Sequence, residues 1–342
     1  MSRLRILLTA VGAFALAGCV SSILARKVVS PPNKSGIKPL FADLAILKRA
    51  PDAFADSWIV PIAHPRADIA VASIEPGDYA FTYDLKLRYP VGNPPAIDHF
   101  NASWRAAKDV ARYPPPFKGT VILLHGFLQT RDSVTPWAVR LAQAGYRCAV
   151  LDLRGHGAST GRYISFGAFE SRDVSAVIDD LGRREWDVSR VGLLGVSYGA
   201  SVALLTAGRD ARIKTVVAFE PFASAERAVP ELMRAVFTRE AGGITDRQFA
   251  AAHMKQARIA GFAWKDADIP AALQRTRAPV LFLHGEADAW LSPDHSRTLF
   301  KFAPSGSKLE LIPKDNHVSL PLQIAPFEKE VIGWFDAGFT TH

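Results

Sequence analysis

Residues 190–207 read RVGLLGVSYGASVALLTA, and this stretch decides the fold. Arg190 to Val196 is a short apolar run of strand type, and Ala200 to Ala207 is a run of small helix-forming residues. Between them stands Gly195-Val196-Ser197-Tyr198-Gly199, a G-x-S-x-G pattern. Chance supplies that pattern in about one chain of this length in ten, so the pattern alone decides nothing. Its setting does. A serine on a sharp strand-to-helix turn is pushed into a strained backbone conformation, and glycines on both sides let strand and helix approach closely. Ser197 is then exposed at the C-terminal edge of a sheet, at a helix N-terminus that favours developing negative charge.

A serine hydroxyl needs a base. In this strand–turn–helix context the order along the chain is nucleophile, acid, histidine, so both partners are sought after residue 197. His317 suits best, in the polar loop Pro313-Lys314-Asp315-Asn316-His317. His253, His284, His295 and His342 fit less well: one in an inserted segment, one ending a strand, one after a cap-like Ser-Pro-Asp, one at the C-terminus. The acid is read as Asp288, just past the apolar run Val280-Leu281-Phe282-Leu283, where a carboxylate accepts the imidazole N–H and fixes its tautomer. Glu286, Asp294 and Glu220 remain as alternatives.

Outward from the centre, short apolar runs alternate with helical spacing. Strands are expected at Thr120–Leu124, Tyr146–Leu153, Arg190–Val196, Thr215–Phe219, Ala278–His284 and Lys308–Ile312. Between them come helices at Ser133–Ala144, around Val174–Leu181, at Ala200–Ala207 and at Pro321–Phe335. Fully apolar strands alternating with helices mean a mostly parallel central sheet covered by helices on both faces, an α/β fold. The alternation fails over residues 221–277, where 57 residues hold helix-like stretches at Ala223–Arg239 and Thr245–Arg258 and no strand. That insertion, before the strand carrying the acid, reads as a helical cap. Its Met233, Val236, Phe237, Phe249, Met254, Phe262 and Trp264 either line an apolar pocket or form the cap's own core.

Upstream, Tyr79, Phe81, Tyr83, Leu85, Leu87 and Tyr89 alternate at period two, which predicts a half-buried antiparallel strand over Asp78–Tyr89. Pro90–Lys118, bracketed by Pro94-Pro95 and Pro114-Pro115-Pro116, reads as a long connection, and Leu40–Arg66 carries no decisive pattern. The expected division is residues 1–18 as a signal segment, 19–66 as a tether and N-terminal extension, 67–220 and 278–342 as the core, and 221–277 as the cap.

With five motifs in order, the chain from Thr120 onward resembles the α/β-hydrolase superfamily. They are His125-Gly126-Phe127, Asp152-Leu153-Arg154-Gly155-His156-Gly157-Ala158-Ser159, the serine turn, His284-Gly285-x-x-Asp288 and Asn316-His317. Within it the chain is similar to capped lipases and esterases of the monoacylglycerol-lipase and cinnamoyl-esterase kind. The resemblance implies carboxylic-ester hydrolysis through an acyl-enzyme, with the backbone N–H groups of Phe127 and Tyr198 as oxyanion donors. Peptidase, amidase, thioesterase and acyltransferase chemistry use the same parts, and a non-catalytic binding protein on this fold is the reading from another class. His125, His156 and His284 read as structural. Asp315-Asn316 ahead of His317, where the family usually carries glycine before the histidine, and Trp290 in the acid loop, where a small or aliphatic residue is commoner, depart from the family pattern.

Composition narrows the partners. The chain has 342 residues, 49% hydrophobic, ample for a large core. Its net charge of +8 is spread among acidic residues with no basic run, which argues against nucleic-acid binding. The two cysteines, Cys19 and Cys148, form neither a disulfide framework nor a metal motif, and no HExxH spacing occurs, so neither metal nor cofactor is expected. Arg3 and Arg5 precede a 12-residue apolar stretch, Ile6–Ala17, too short to span a bilayer and suited to a signal peptide. Its end, Leu16-Ala17-Gly18-Cys19, resembles the bacterial lipobox. That resemblance implies cleavage before Cys19 and lipidation of its thiol, hence an exported, membrane-anchored lipoprotein acting on a small ester or lipid. Val20, in place of an inner-membrane retention Asp, points to the outer membrane.

Overall fold

The computed structural model describes residues 19–36, 39, 47–88 and 96–340. A helix over residues 19–29 (α1) comes first. Strands β1 (Asp56–Ile62) and β2 (Ala67–Ile74) follow, then a two-residue ladder of β3 (Gly77–Asp78) with β6 (Ala111–Arg112) around the hairpin β4 (Thr82–Arg88) and β5 (Ala96–Ser103). The central alternation then runs β7 (Thr120–Leu124), α2 (Thr135–Gln143), β8 (Arg147–Leu151), α3 (Glu170–Arg183), β9 (Val191–Val196), α4 (Tyr198–Ala207) and β10 (Ile213–Phe219). Helices α5 (Ala225–Val236), α6 (Thr238–Ala241), α7 (Asp246–Ala260) and α8 (Ile269–Leu273) fill the gap before β11 (Val280–Gly285). The chain closes with α9 (Asp294–Phe300), β12 (Lys308–Ile312) and α10 (Ile324–Thr340).

Eight strands form one sheet in the order β1-β2-β8-β7-β9-β10-β11-β12. β1 and β2 are antiparallel, as are β2 and β8, and every pair from β8 to β12 is parallel. Side-chain alternation splits each strand between two cores. Ile122, Leu193, Val216 and Phe282 face α3 and α4, while Leu123, Leu194, Val217 and Leu283 face α2 and α10 through Trp137, Leu141, Val331 and Phe335. Fully burying side chains of this size stabilises by roughly 1.5–3 kcal/mol each before entropy is charged, which is why β7, β9 and β11 carry no polar residue at their centres.

The crossovers fix where chemistry sits. From β7 the chain winds to β8 on one side, then passes back over β7 to β9 on the other. At such a reversal the connections leave in opposite directions and open a crevice beyond the strand C-termini. Ser197 stands there, at the end of β9 and beside the end of β7.

Three expectations are corrected, and the stretch Leu40–Arg66, left open in sequence, gains a strand. The first part of the 19–66 extension, from Ser21 to about Lys38, reads in sequence as a tether. Over its described part it is largely helical, with Leu24, Ala25 and Val29 buried against the cap and core, because apolar residues recur there at helical spacing within a polar, proline-containing stretch. The unassigned region holds β1, whose Pro61 is tolerated on an edge strand, and β2 beyond it is made mostly of small residues that give no alternation because both faces are buried. The strand expected over Asp78–Tyr89 is broken at Ala80, which has φ 47°, so that Tyr79 turns into the core. Its remainder, β4, does alternate and pairs antiparallel with β5, inside what reads in sequence as a connection. Tyr89 lies outside the described residues.

Candidate active site

Three strand ends build the site. β9 delivers Ser197 in a strained conformation, φ 53° and ψ −111°, directly before α4. The glycines around it are sterically required. A Cβ on Gly195 would come within 2.5 Å of Ala200, and one on Gly199 within 2.3 Å of the Leu124 carbonyl at the end of β7. That contact draws the turn after β7, with Phe127, against the serine. Leu128 and Glu220, past β7 and β10, also have positive φ, at 57° and 52°, so strain gathers on one edge of the sheet.

The acid and histidine loops are zipped together. Glu286 N donates to the Ile312 carbonyl at 2.9 Å, and Ala287 N donates to the Asp315 carbonyl at 2.8 Å. Gly285 makes room, since a Cβ there would meet the same Asp315 carbonyl at 2.4 Å. Asn316 Oδ1 accepts from Val318 N and Ser319 N, both at 2.9 Å, and stiffens the loop just before and after His317. The Asp-Asn departure from the family pattern therefore has a structural use.

The result is a continuous hydrogen-bonded chain. His317 Nε2 lies 2.9 Å from Ser197 Oγ, and His317 Nδ1 lies 2.7 Å from Asp288 Oδ2. Ser197, Asp288 and His317 are all buried. Asp288 Oδ1 accepts from Trp290 N and Leu291 N at 2.8 and 2.9 Å. Burial by itself would raise the Asp288 carboxyl, but His317, hydrogen bonds from His284 and His317, and the charge of His284 outweigh it and hold it well below the usual carboxylate range. Asp288 is thus ionised and His317 Nδ1 carries the proton between them.

Glu220, the nearest of the alternative acids, has its side chain 3.5 Å from His317 Nδ1, and neither carboxyl oxygen has a hydrogen-bond partner among the described residues. Burial, reinforced by the charge of Asp288, drives it well above the usual range and favours its neutral form. Asp294 instead pairs with Arg297 at the surface. Glu220, Asp288 and His317 present donor atoms within 4.8 Å of one another. Both nitrogens of His317 are already engaged, one by Asp288 and one by Ser197, which suits a proton path better than a metal.

The other histidines sort by their contacts. His125 Nε2 accepts from Leu153 N at 2.9 Å and His156 Nδ1 faces the Arg154 carbonyl at 3.0 Å. Burial pushes them down to about 4 and about 3, so both are neutral scaffold groups. His284 does more than sequence suggests. Its Nε2 lies 3.2 Å from Asp288 Oδ2, making it a second partner of the acid, a role hinted at only by the four-residue spacing of His284 and Asp288. His295 Nε2 meets Glu231 of α5 at 3.1 Å and ties the cap helix to α9. His253 stacks on Trp264, and His342 lies outside the described residues. Trp290 packs its ring 5.3 Å from that of His317.

Above the serine is a cavity of about 410 Å³, within the range of small-molecule sites. Ser197, Phe127 and Tyr198 line it together with Met233, Phe237 and, from α1, Leu24 and Val28. The cap's apolar residues divide: Met233 and Phe237 face this cavity, Val236 a small neighbouring one, Phe249 is buried core, Met254 is 74% exposed, and Phe262 and Trp264 pack on Phe166. Cys19 is exposed at the start of α1.

Parallel sheet, crossover reversal and serine turn together define the α/β-hydrolase fold, and comparison with known proteins agrees. A family model described as serine aminopeptidase, S33, matches residues 115–259, ending before Asp288 and His317. YqkD of Bacillus subtilis (strain 168), an uncharacterized protein, is 24% identical over 184 residues, 53% of this chain and 59% of that protein. Among solved structures, the 2,6-dihydroxy-pseudo-oxynicotine hydrolase superposes with a TM-score of 0.57 at 18% identity, covering 84% of this chain and 68% of that one. A membrane phospholipase A gives 0.55 at 17% identity over 98% of both chains. The Pyrococcus furiosus esterase Pf2001 gives 0.53 at 17% identity over 86% and 95%. The chain is an α/β-hydrolase by fold.

Proposed function

We propose that this protein is a serine hydrolase that cleaves a carboxylic ester through an acyl-enzyme. The observation that carries the reading is the chain Ser197 Oγ–His317 Nε2 at 2.9 Å and His317 Nδ1–Asp288 at 2.7 Å, beside an apolar cavity. Ser197 Oγ attacks the ester carbonyl and gives its proton to His317 Nε2. The backbone N–H groups of Phe127 and Tyr198 take the oxyanion, an interaction for which each donor is worth about 2.7–4 kcal/mol. His317 then protonates the departing alcohol, and water, deprotonated by the same imidazole, releases the acid. Asp288 holds the imidazole in the required tautomer throughout.

An aminopeptidase reading follows from the family description. Such an enzyme must fix a free ammonium, and Glu240 is the acidic side chain among those lining the cavity, with Lys27 also present. The apolar character of the remaining wall favours an acyl group. The test is a panel of p-nitrophenyl esters set against amino-acid p-nitroanilides, with fluorophosphonate labelling mapped by peptide mass spectrometry. Ester turnover and label on Ser197 are expected; preferred cleavage of the anilides, or a folded protein that takes no label there, would sink the ester reading.

We further propose that the protein is exported and anchored to a membrane through lipid on Cys19, on the outer membrane of a bacterial envelope. The lipobox resemblance and the exposed thiol support this. None of the helices among the described residues is long and apolar enough to cross a membrane. Cys19→Ser is expected to move the protein from the membrane to the soluble fraction on cell fractionation; unchanged partition would count against lipidation.

A further inference from the structure

Residues 19–36 bridge the two parts of the molecule across the cavity that holds Ser197. At one end the Ser21 and Ser22 hydroxyls accept from Lys255 Nζ on α7, at 2.7 and 2.8 Å. Leu24 and Ala25 pack with Ala241, Phe249 and Ala252 of the cap. At the other end Asn33 N donates to the Gly155 carbonyl at 3.0 Å, and Asn33 Nδ2 donates to the Ser159 carbonyl at 2.8 Å, both in the loop after β8. Ile164 N donates to the Val29 carbonyl at 3.0 Å. Between these clamps Leu24 and Val28, four apart on one helix face, line the cavity. They are joined there by Val229, Leu232 and Met233 of α5.

We propose that α1 completes the acyl-binding site, and that the substrate's acyl group is an aliphatic chain lying against Leu24 and Val28. The proposal rests on Ser197 being the nucleophile. Ser197 lines the cavity, so whatever occupies it is continuous with the carbonyl under attack. Leu24 and Val28 of α1 and Val229, Leu232 and Met233 of α5 give apolar walls that offer a chain van der Waals contact, with Lys27 the charged side chain that α1 adds to the lining. Each methylene withdrawn from water is worth about fourfold in binding, so the cavity rewards chain length until it is filled. Position adds a consequence for delivery. Cys19 opens the helix whose Leu24 touches the cavity, only about 8 Å further along the axis. A lipid on Cys19 would hold this wall at the membrane, where long-chain esters reside.

The test compares kcat/KM for p-nitrophenyl butyrate, octanoate and dodecanoate in the full chain, in Val28→Trp and in Leu24→Ala. The indole is expected to lower the dodecanoate-to-butyrate ratio about tenfold or more, the scale on which an apolar pocket discriminates a few methylenes. Leu24→Ala, which enlarges the cavity, is expected to move the optimum to a longer chain. Should Val28→Trp fail to fold, as seen by far-UV circular dichroism, Leu24→Ala carries the decision alone. Unchanged ratios with Ser197 still labelled by fluorophosphonate overturn the assignment of α1, as does a wild-type preference for aryl over aliphatic acyl esters. A wild-type protein without label on Ser197 refutes the nucleophile, and this proposal falls with it.

Discussion

Ser197→Ala is expected to lower kcat on p-nitrophenyl butyrate by about six orders of magnitude, with KM little changed. The size follows from what remains. Without the hydroxyl, His317 has no oxygen to deprotonate, and water must attack from a position the site was not built to hold. The Phe127 and Tyr198 donors and the cavity persist, so a residual rate of about 10³–10⁴ over water is expected. Folding should be preserved. The strain at φ 53° lies in the backbone and is equal for serine and alanine, and the lost hydroxyl bonds to His317 alone among the hydrogen bonds of its side chain. Ser201, one turn on, does not substitute, since its hydroxyl is committed to Phe222 N at 3.0 Å. Thermal unfolding of the variant within a few degrees of the parent, with activity gone, is the expected pair of results. Activity down by less than about a hundredfold would mean that another group attacks.

What the sequence discloses about this site depends on whether a residue's role is local. Ser197 is legible because the steric demands of its turn write glycines on both sides of it, and the strand and helix that need them are adjacent in the chain. The central strands are legible for a similar reason: buried on both faces, Thr120–Leu124 and Val280–Leu283 read as apolar runs. Where a role depends on a partner far along the chain, the signal vanishes. β2 is nearly as buried as β9, but its small residues pack between β1 and β8 and against α2 without producing a pattern. α1 looks like a polar tether because its buried apolar residues are few: Leu24 and Ala25 pack on a cap more than 200 residues later, and Val29 packs on the main core. His284 is hidden for another reason, since its partner Asp288 is only four residues on. Its place in an HG turn is a local fact, whereas its 3.2 Å approach to Asp288 follows from how the acid loop folds back over β11. Glu220 could be named as an alternative acid from its position after a strand, but sequence could not say which carboxyl reaches the imidazole.

That question has a decisive measurement. Asp288→Asn is expected to cut kcat about 10⁴-fold, because an amide can donate to His317 Nδ1 and so stabilise the wrong tautomer. Glu220→Gln replaces a neutral carboxyl by a neutral amide of the same shape. It is expected to cost no more than about tenfold, since the Glu220 carboxyl makes no hydrogen bond among the described residues that the amide would lose. Stability separates them further. Glu220 has a folded-state pKa raised above the unfolded value of about 4.3, so the folded state holds a proton that the unfolded chain has lost. Its contribution to stability is fully present below about pH 4 and is lost as pH rises toward the folded value. Glutamine has no such slope. The urea midpoint of Glu220→Gln should therefore gain on the parent between about pH 4 and pH 7. Asp288 runs the other way: its depressed pKa contributes stability above the unfolded value of about 3.9, which Asp288→Asn forfeits at neutral pH. If Glu220→Gln instead abolished turnover as completely as Asp288→Asn, with a flat difference in midpoint, the two carboxyls would share one proton and one role, and Asp288 could not be the acid alone.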